Sequence, residues 1–221
     1  MDTTPTSDLA ADLQTRGCAV CDHLATRALD FFAQWQYALY ADEKTRNEYA
    51  TGPGLCPLHL WQLESVSSPV GAAVGHAPFV DRIARTLEHA ATMSSDRSTV
   101  AILVPTGGDC RVCRLLSEAE TEYIGRFAAF VSGREGQEHY ARSQGLCLRH
   151  LGRLVAALPE EQTVASVLRV AARQFHQLAE DMRSYAVKTE ALRRELYTAD
   201  DHDAVLRALT HLAGSRRGCW P

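Results

Sequence analysis

The sequence has no strong excess of charge, no long apolar run and no leader-like N-terminus. Its 221 residues include 23 Lys and Arg against 27 Asp and Glu, a formal net charge of -4, which gives no overall attraction to nucleic acid or to an anionic membrane. Apolar runs such as residues 100–104 are far shorter than the roughly 20 residues that cross a bilayer. Residues 1–14 lack the basic and apolar regions of a signal peptide. We therefore expect a cytoplasmic protein that binds neither nucleic acid nor membrane.

Strand patterns are nearly absent as well, and apolar residues recur instead at three- and four-residue spacings. Such spacings place apolar side chains on one face of a helix. Further helices are expected over residues 78–93, from Pro159 to about Tyr197, and over residues 200–212. The predicted fold class is therefore all-α. The clearest helical patterns are Leu24, Ala28, Phe31, Phe32, Trp35 and Leu39, and Leu115, Leu116, Ala119, Tyr123, Phe127 and Phe130.

Seven cysteines are present, and six of them fall in C-x-x-C or C-x-x-H motifs. In a reducing cytoplasm this spacing favours metal ligation over disulfide bonds. The seventh, Cys219, lies in the Arg-Arg-Gly-Cys-Trp-Pro tail and is not expected to be a ligand. The predicted metal ligands are Cys18, Cys21, Cys56, His59, Cys110, Cys113, Cys147 and His150.

The motifs are duplicated along the chain. Cys110 follows Cys18 by 92 residues and Cys147 follows Cys56 by 91, and the Tyr-Ala, Gly-Leu-Cys and His-Leu pairs around the second motif recur at matching positions. Internal duplication explains this better than chance. The chain is therefore predicted to be a helical bundle of two pseudo-symmetric metal-binding half-repeats and a long C-terminal helix. The predicted parts are a flexible N-terminus (1–15), repeat 1 (16–95), a linker (96–108), repeat 2 (109–158), C-terminal helices (159–214) and a tail (215–221).

Each C-x-x-C is predicted to lie at the start of a helix that leads away from it. After a bend and a second helix that leads back, each C-x-x-H is predicted to lie at the start of a third helix. A single helix from Cys21 to Gly52 would be longer than about 40 Å, so a site within one half requires a bend. Residues 41–43 and 132–136 offer such bends, and Gly54 and Gly145 are placed to end the return helices. Each half supplies a complete ligand set. The sequence leaves open whether each ion uses one half, both halves or two subunits.

Three thiolates and one imidazole form a common structural zinc site, so two Zn²⁺ per chain are predicted. Helix starts add backbone N–H groups and positive dipole near the thiolates. The alternative cofactor is a pair of [4Fe-4S] clusters, which similar ligands also hold. A c-type haem is excluded because His23 does not directly follow Cys21. Tyr49 and Tyr140, near the returning ligands, are interpreted as packing residues.

Four strong ligands leave no open position for a catalytic water, and no familiar catalytic motif is present. No catalytic residue is therefore predicted, and an enzyme is not favoured. The preferred hypothesis is a structural zinc protein that acts as a binding or regulatory scaffold, through a protein partner or self-association. One alternative is an iron–sulfur electron-transfer protein or redox enzyme. The other is a thiol-based metal or redox sensor.

Nearly the whole chain resembles an uncharacterised bacterial domain-of-unknown-function family with duplicated GCxxC and GLCxxH motifs. The resemblance is carried by Gly17–Cys18, Cys21, Cys110 and Cys113, and by three further stretches. It implies a helical fold with two four-residue metal sites and brings no established activity. Asp109 replaces the glycine that precedes the cysteine in the first copy. The further stretches are residues 54–60, 145–151 and 208–214.

Overall fold

The computed structural model describes residues 5–92, 103, 108–190 and 194–214. Within these ranges the chain forms ten α-helices and one short 3-10 turn, and no strand, so the all-α prediction is confirmed. The predicted linker around residues 94–107 lies largely outside the described residues, and Cys219 lies wholly outside them. The helices are α1 Pro5–Asp12, α2 Ala19–Ala41, α3 Glu43–Thr51, α4 Pro57–Val66, α5 Pro69–Thr92, α6 Arg111–Ser132, α7 Arg134–Arg142, α8 Leu148–Ala157, α9 Glu161–Glu190 and α10 Ala199–Ala213.

Both predicted bends are present. The first lies at Asp42, whose carboxylate accepts hydrogen bonds from the backbone N–H groups of Lys44 (3.2 Å) and Thr45 (2.9 Å) and so caps α3. The second lies at Gly133, between α6 and α7. There the corner is so tight that a Cβ at Gly136 would lie 2.0 Å from the carbonyl oxygen of Phe130. Glycine is therefore required at residue 136.

Two helix boundaries differ from the sequence prediction. The helix expected over residues 78–93 begins at Pro69, because the Ser68 hydroxyl accepts from the Gly71 N–H (3.0 Å) and proline suits the first helical turn. Pro78 lies inside this helix, where its missing N–H removes one backbone bond without ending the helix. The long C-terminal helix is described as far as Glu190, and Arg194–Leu196 form a 3-10 turn, so the helix does not run unbroken to about residue 197. The short final helix is confirmed.

The chain divides into two compact units. The discontinuous unit comprises the described residues up to Ala25 and from Glu120 onward, and the central unit comprises Thr26–Ala119. The boundaries fall inside α2 and α6. Large buried side chains form a core in each unit: Val20, Tyr123, Phe127, Val131, Tyr140 and Leu154 in the discontinuous unit, and Phe32, Leu39, Leu63, Val112 and Leu116 in the central unit.

No helix in the described part of the chain combines the length and apolar character that a membrane crossing requires. The repeat boundaries predicted from the motifs describe a different division of the chain from the packing units, and they stay a prediction.

Candidate metal centres

The eight predicted ligands gather into two clusters of four, one in each unit. In each cluster the candidate ligand atoms all lie within 4.8 Å of one another. Seven of the eight side chains are buried, and Cys113 is partly exposed. Cluster A, in the discontinuous unit, contains Cys18, Cys21, Cys147 and His150, and cluster B, in the central unit, contains Cys56, His59, Cys110 and Cys113.

The grouping crosses the two sequence halves. Each cluster joins the C-x-x-C of one half to the C-x-x-H of the other, so the arrangement in which each half encloses its own four ligands is wrong. Helix length gives the reason. The 23 residues of α2 carry the chain about 35 Å away from the first C-x-x-C, whereas the nine residues of α3 return it only about 14 Å. The 22-residue α6 and nine-residue α7 have the same imbalance.

The distances in cluster A match those around one tetrahedral ion. The Nδ1 atom of His150 lies 3.3 Å from Cys18 Sγ, 3.4 Å from Cys21 Sγ and 3.2 Å from Cys147 Sγ, and Cys21 Sγ lies 3.9 Å from Cys147 Sγ. Tetrahedral zinc bonds would separate sulfur from nitrogen by about 3.6 Å and sulfur from sulfur by about 3.8 Å. The sulfur–nitrogen distances are therefore slightly shorter than those around zinc, and the sulfur–sulfur distance agrees to about 0.1 Å.

Cluster B repeats this geometry. The Nδ1 atom of His59 lies 3.2 Å from Cys56 Sγ, 3.4 Å from Cys110 Sγ and 3.3 Å from Cys113 Sγ. Cys56 Sγ and Cys113 Sγ are 3.8 Å apart. Both histidines thus present the same nitrogen, Nδ1, to three sulfurs.

Every motif lies at the start of a helix, as predicted. Cys18 and Cys110 directly precede α2 and α6, and Cys56 and Cys147 are the N-cap residues of α4 and α8. A three-residue step in the first helical turn brings both ligands of a motif to one point. Backbone N–H groups at these helix starts are not all used within the helix, so they are available to sulfur.

Glycines set the approach to each returning cysteine. Gly54 and Gly145 have φ angles of +86° and +82°, a region that side-chain-bearing residues rarely adopt. They do not end the return helices, which already stop at Thr51 and Arg142. They instead turn the chain two residues before the ligand. A Cβ at residue 145 would lie 2.2 Å from Gln174 Oε1, so the end of the Gln174 side chain would have to move to admit it.

Sulfur and imidazole groups lie within hydrogen-bond distance of one another in each cluster, and these contacts shift the pKa of several of them. Hydrogen bonds from Cys18 and Cys21 outweigh burial and lower the pKa of Cys147, while the same bond to Cys147 raises the pKa of Cys18. Burial alone would lower the pKa of His150, but its hydrogen bonds to Cys147 and Cys21 raise it. In cluster B, burial opposes but does not cancel the hydrogen bonds from His59 that lower the pKa of Cys110. A cation at either centre would take the place of protons on these groups.

A buried carboxylate contacts cluster A from outside the motifs. Glu120 Oε1 lies 3.3 Å from His150 Nε2, within ion-pair distance although not aligned as a hydrogen bond. Arg149 and Arg153 each place a nitrogen 3.3 Å from Glu120 Oε2. Burial opposes ionisation of Glu120, but the hydrogen bonds from the two arginines outweigh it and lower its pKa. Glu120 is therefore a charged neighbour of the outer nitrogen of His150, and the motifs do not reveal it.

Tyr49 and Tyr140, which the sequence analysis interpreted as packing residues, both contact aromatic neighbours. The Tyr49 ring stacks on Phe79 with centroids 4.8 Å apart, and its hydroxyl lies 3.1 Å from His76 Nδ1. Tyr140 is buried with its ring against Phe127, and its hydroxyl has no hydrogen-bond partner among the described residues. Burial raises the pKa of both tyrosines.

Comparisons with protein-family models, curated proteins and solved structures each found no match. The two Cys/His clusters therefore carry the functional argument, and the family resemblance stays a prediction.

Proposed function

We propose that this chain binds two Zn²⁺ ions and acts as a binding or regulatory scaffold, each ion closing one compact unit. The observation that carries the proposal is the distance set in each cluster. Three sulfurs and one Nδ1 atom, with sulfur–nitrogen separations of 3.2–3.4 Å and sulfur–sulfur separations of 3.8–3.9 Å, are close to the edges of one zinc tetrahedron.

These distances favour a single ion over an iron–sulfur cluster. In a [4Fe-4S] cluster each protein ligand binds a different iron, so its ligand atoms stand further apart than they do around one ion. All four candidate atoms here lie within 4.8 Å of one another. Three thiolates with one imidazole are also a common structural set for zinc.

A scaffold role is supported by the number of ligands. Four protein ligands fill a tetrahedral zinc ion and leave no position for a reacting water. The surface supplies a place for a partner or a second copy of the chain, because α10 exposes Val205, Leu206, Leu209 and Leu212. These residues recur at helical spacing on one helix, and contiguous exposed apolar groups are typical of interaction sites.

Anaerobic purification followed by elemental analysis and a visible spectrum on one sample tests the metal assignment. Two zinc ions per chain and no visible absorption are expected. Iron with inorganic sulfide and charge-transfer bands would reject zinc and turn attention to electron transfer.

A substitution tests the ligand grouping. Cys56→Ser should remove one zinc ion and leave Cys110 and Cys113 open to alkylation, because these two cysteines share cluster B with Cys56. Cys18 and Cys21 should stay protected in the same variant. Cys219→Ser is the matched control and should keep both ions. Alkylation of Cys18 and Cys21 in the Cys56→Ser variant would instead indicate sites built within one half.

A further inference from the structure

The two clusters differ in how exposed their cysteine residues are. In cluster A all three cysteines and His150 are buried, with exposures of 0–1%. In cluster B Cys56 and Cys110 are buried, whereas the residue Cys113 is partly exposed. A metal-bound thiolate exchanges and reacts only when a reagent can reach the sulfur, so cluster B offers an entry point that cluster A does not.

A cavity lies beside residues that flank this motif in sequence. It has a volume of about 180 Å³, and its wall includes Asp109, Arg111 and Arg114, the neighbours of Cys110 and Cys113 in sequence. Gly52 and Gly54, on the approach to Cys56, also line it. A water molecule occupies about 30 Å³ in the liquid, so the cavity has room for a small peroxide next to the residues that flank Cys110 and Cys113, although the cysteines themselves are not among its lining residues.

The support around the histidine differs too. In cluster A, Glu120 contacts His150 Nε2 and is itself held by two arginines. Moving back from Glu120 by the 92 residues that separate Cys110 from Cys18 leads to Ala28, which carries no carboxylate. Carboxylates that contact ligating histidines strengthen metal binding, so cluster B lacks at this position a contact that strengthens cluster A.

We propose that cluster B is an oxidant-responsive site in which Cys113 reacts first with small hydroperoxides, whereas cluster A keeps its ion. This inference rests on the proposed binding of two zinc ions. Cluster B is thus a site of cysteine oxidation by hydroperoxides, and cluster A is the permanent structural centre.

The reaction balances with hydroperoxide as the named oxidant. The Cys113 thiolate attacks one peroxide oxygen, the O–O bond breaks, and hydroxide or alkoxide leaves, which gives a sulfenic acid at Cys113. Cys56, whose Sγ is 3.8 Å from Cys113 Sγ, then attacks the sulfenic sulfur. The S–S bond forms, the S–O bond breaks, and the departing hydroxide takes up a proton as water. Two electrons pass from the sulfurs to the peroxide, and zinc leaves a centre that has lost two thiolates.

The test treats the two-zinc protein with hydrogen peroxide and follows zinc release with a chromophoric chelator. Native mass spectrometry counts the remaining ions, and peptide mapping locates the disulfide. One zinc ion should leave at least about tenfold faster than the other, reflecting the dependence of thiolate oxidation on access. The early disulfide should include Cys113, while Cys18, Cys21 and Cys147 stay reduced.

Cys113→His supplies a zinc ligand that cannot form a disulfide. This variant should keep two ions and lose the fast release, whereas Cys219→Ser should release zinc as the unsubstituted chain does. The inference would be overturned if both ions left at one rate, or if oxidation began at Cys18, Cys21 or Cys147. The unsubstituted protein is enough to decide this if Cys113→His does not fold. A starting protein without two zinc ions would reject the proposed function instead, so the two failures are distinguishable.

Discussion

Replacing Glu120 with glutamine should weaken zinc binding at cluster A alone. Glu120 is buried, with 3% of its surface exposed, and its Oε1 lies 3.3 Å from Nε2 of His150, whose Nδ1 faces the three sulfurs. A negative charge beside the outer nitrogen favours the tautomer that carries its N–H there and makes the inner nitrogen a better ligand. The amide keeps the shape of the side chain and removes its charge.

The expected size follows from this contact. Loss of a carboxylate that supports a ligating histidine typically costs about tenfold to hundredfold in metal affinity, or about 1.4 to 2.8 kcal/mol. Arg149 and Arg153 would also lose their charged partner, but both side chains are about half exposed and water can replace part of that interaction. The larger part of the effect should therefore come from His150.

Competition with a chromophoric zinc chelator measures this change as a weaker affinity for one of the two ions. Glu122→Gln is the matched control, since Glu122 is exposed on the same helix and should leave both affinities unchanged. A purely structural effect of Glu120→Gln would lower the melting temperature equally with and without zinc. If Glu120 positions His150, the melting temperature should fall further in the zinc-bound protein than in the zinc-free protein. The positioning role of Glu120 would be refuted if Glu120→Gln left the affinity for both zinc ions unchanged, or if Glu120→Gln and Glu122→Gln lowered zinc affinity equally.

Two further predictions concern the frame around the centres. Gly145→Ala should destabilise the protein by about 1–3 kcal/mol, because residue 145 has φ +82° and a Cβ there meets Gln174. Gly152→Ala is the control, because the space around its Cβ in α8 is open. It should stabilise the protein by about 0.5–1 kcal/mol in the same denaturant titration. Asp201→Asn should lower the melting temperature at neutral pH, because contacts with Lys188 and the N-cap of α10 lower the Asp201 pKa. That stabilisation is present above the ordinary aspartate pKa of about 3.9 and is lost as the pH falls below it, so a gap between variant and parent that stays constant down to low pH would contradict the assignment.

Local features of the structure were predictable from the sequence because they depend on neighbouring residues. A three-residue step places both ligands of a motif in one helical turn, and this geometry made the ligand identities accessible from spacing. The cap at Asp42 and the glycine corner at Gly136 are likewise properties of a few consecutive residues. These short-range rules were enough to predict all eight clustered side chains and both bends.

Features that join distant segments were not predictable in the same way. The partner of each motif depends on the difference in length between α2 and α3, and helix ends are uncertain by one or two residues even when the structure is known. Glu120 lies 30 residues before His150 in the chain, and its charge resembles that of any glutamate in an amphipathic helix. The nearest signal was the pair Arg149 and Arg153 on either side of His150.

The crossed grouping is decided by helix geometry rather than by chain entropy. Joining Cys21 to Cys147 spans 126 residues and joining Cys56 to Cys113 spans 57, whereas pairs within one half would span 35 or 34 residues. Closing the longer loops costs only about 1.5 kcal/mol more in total, because loop entropy grows with the logarithm of length. A structural zinc site contributes about 10–16 kcal/mol of apparent binding free energy. The longer loops are therefore a small cost beside the strain or unwinding that α2 and α6 would need to bring each half's own ligands together.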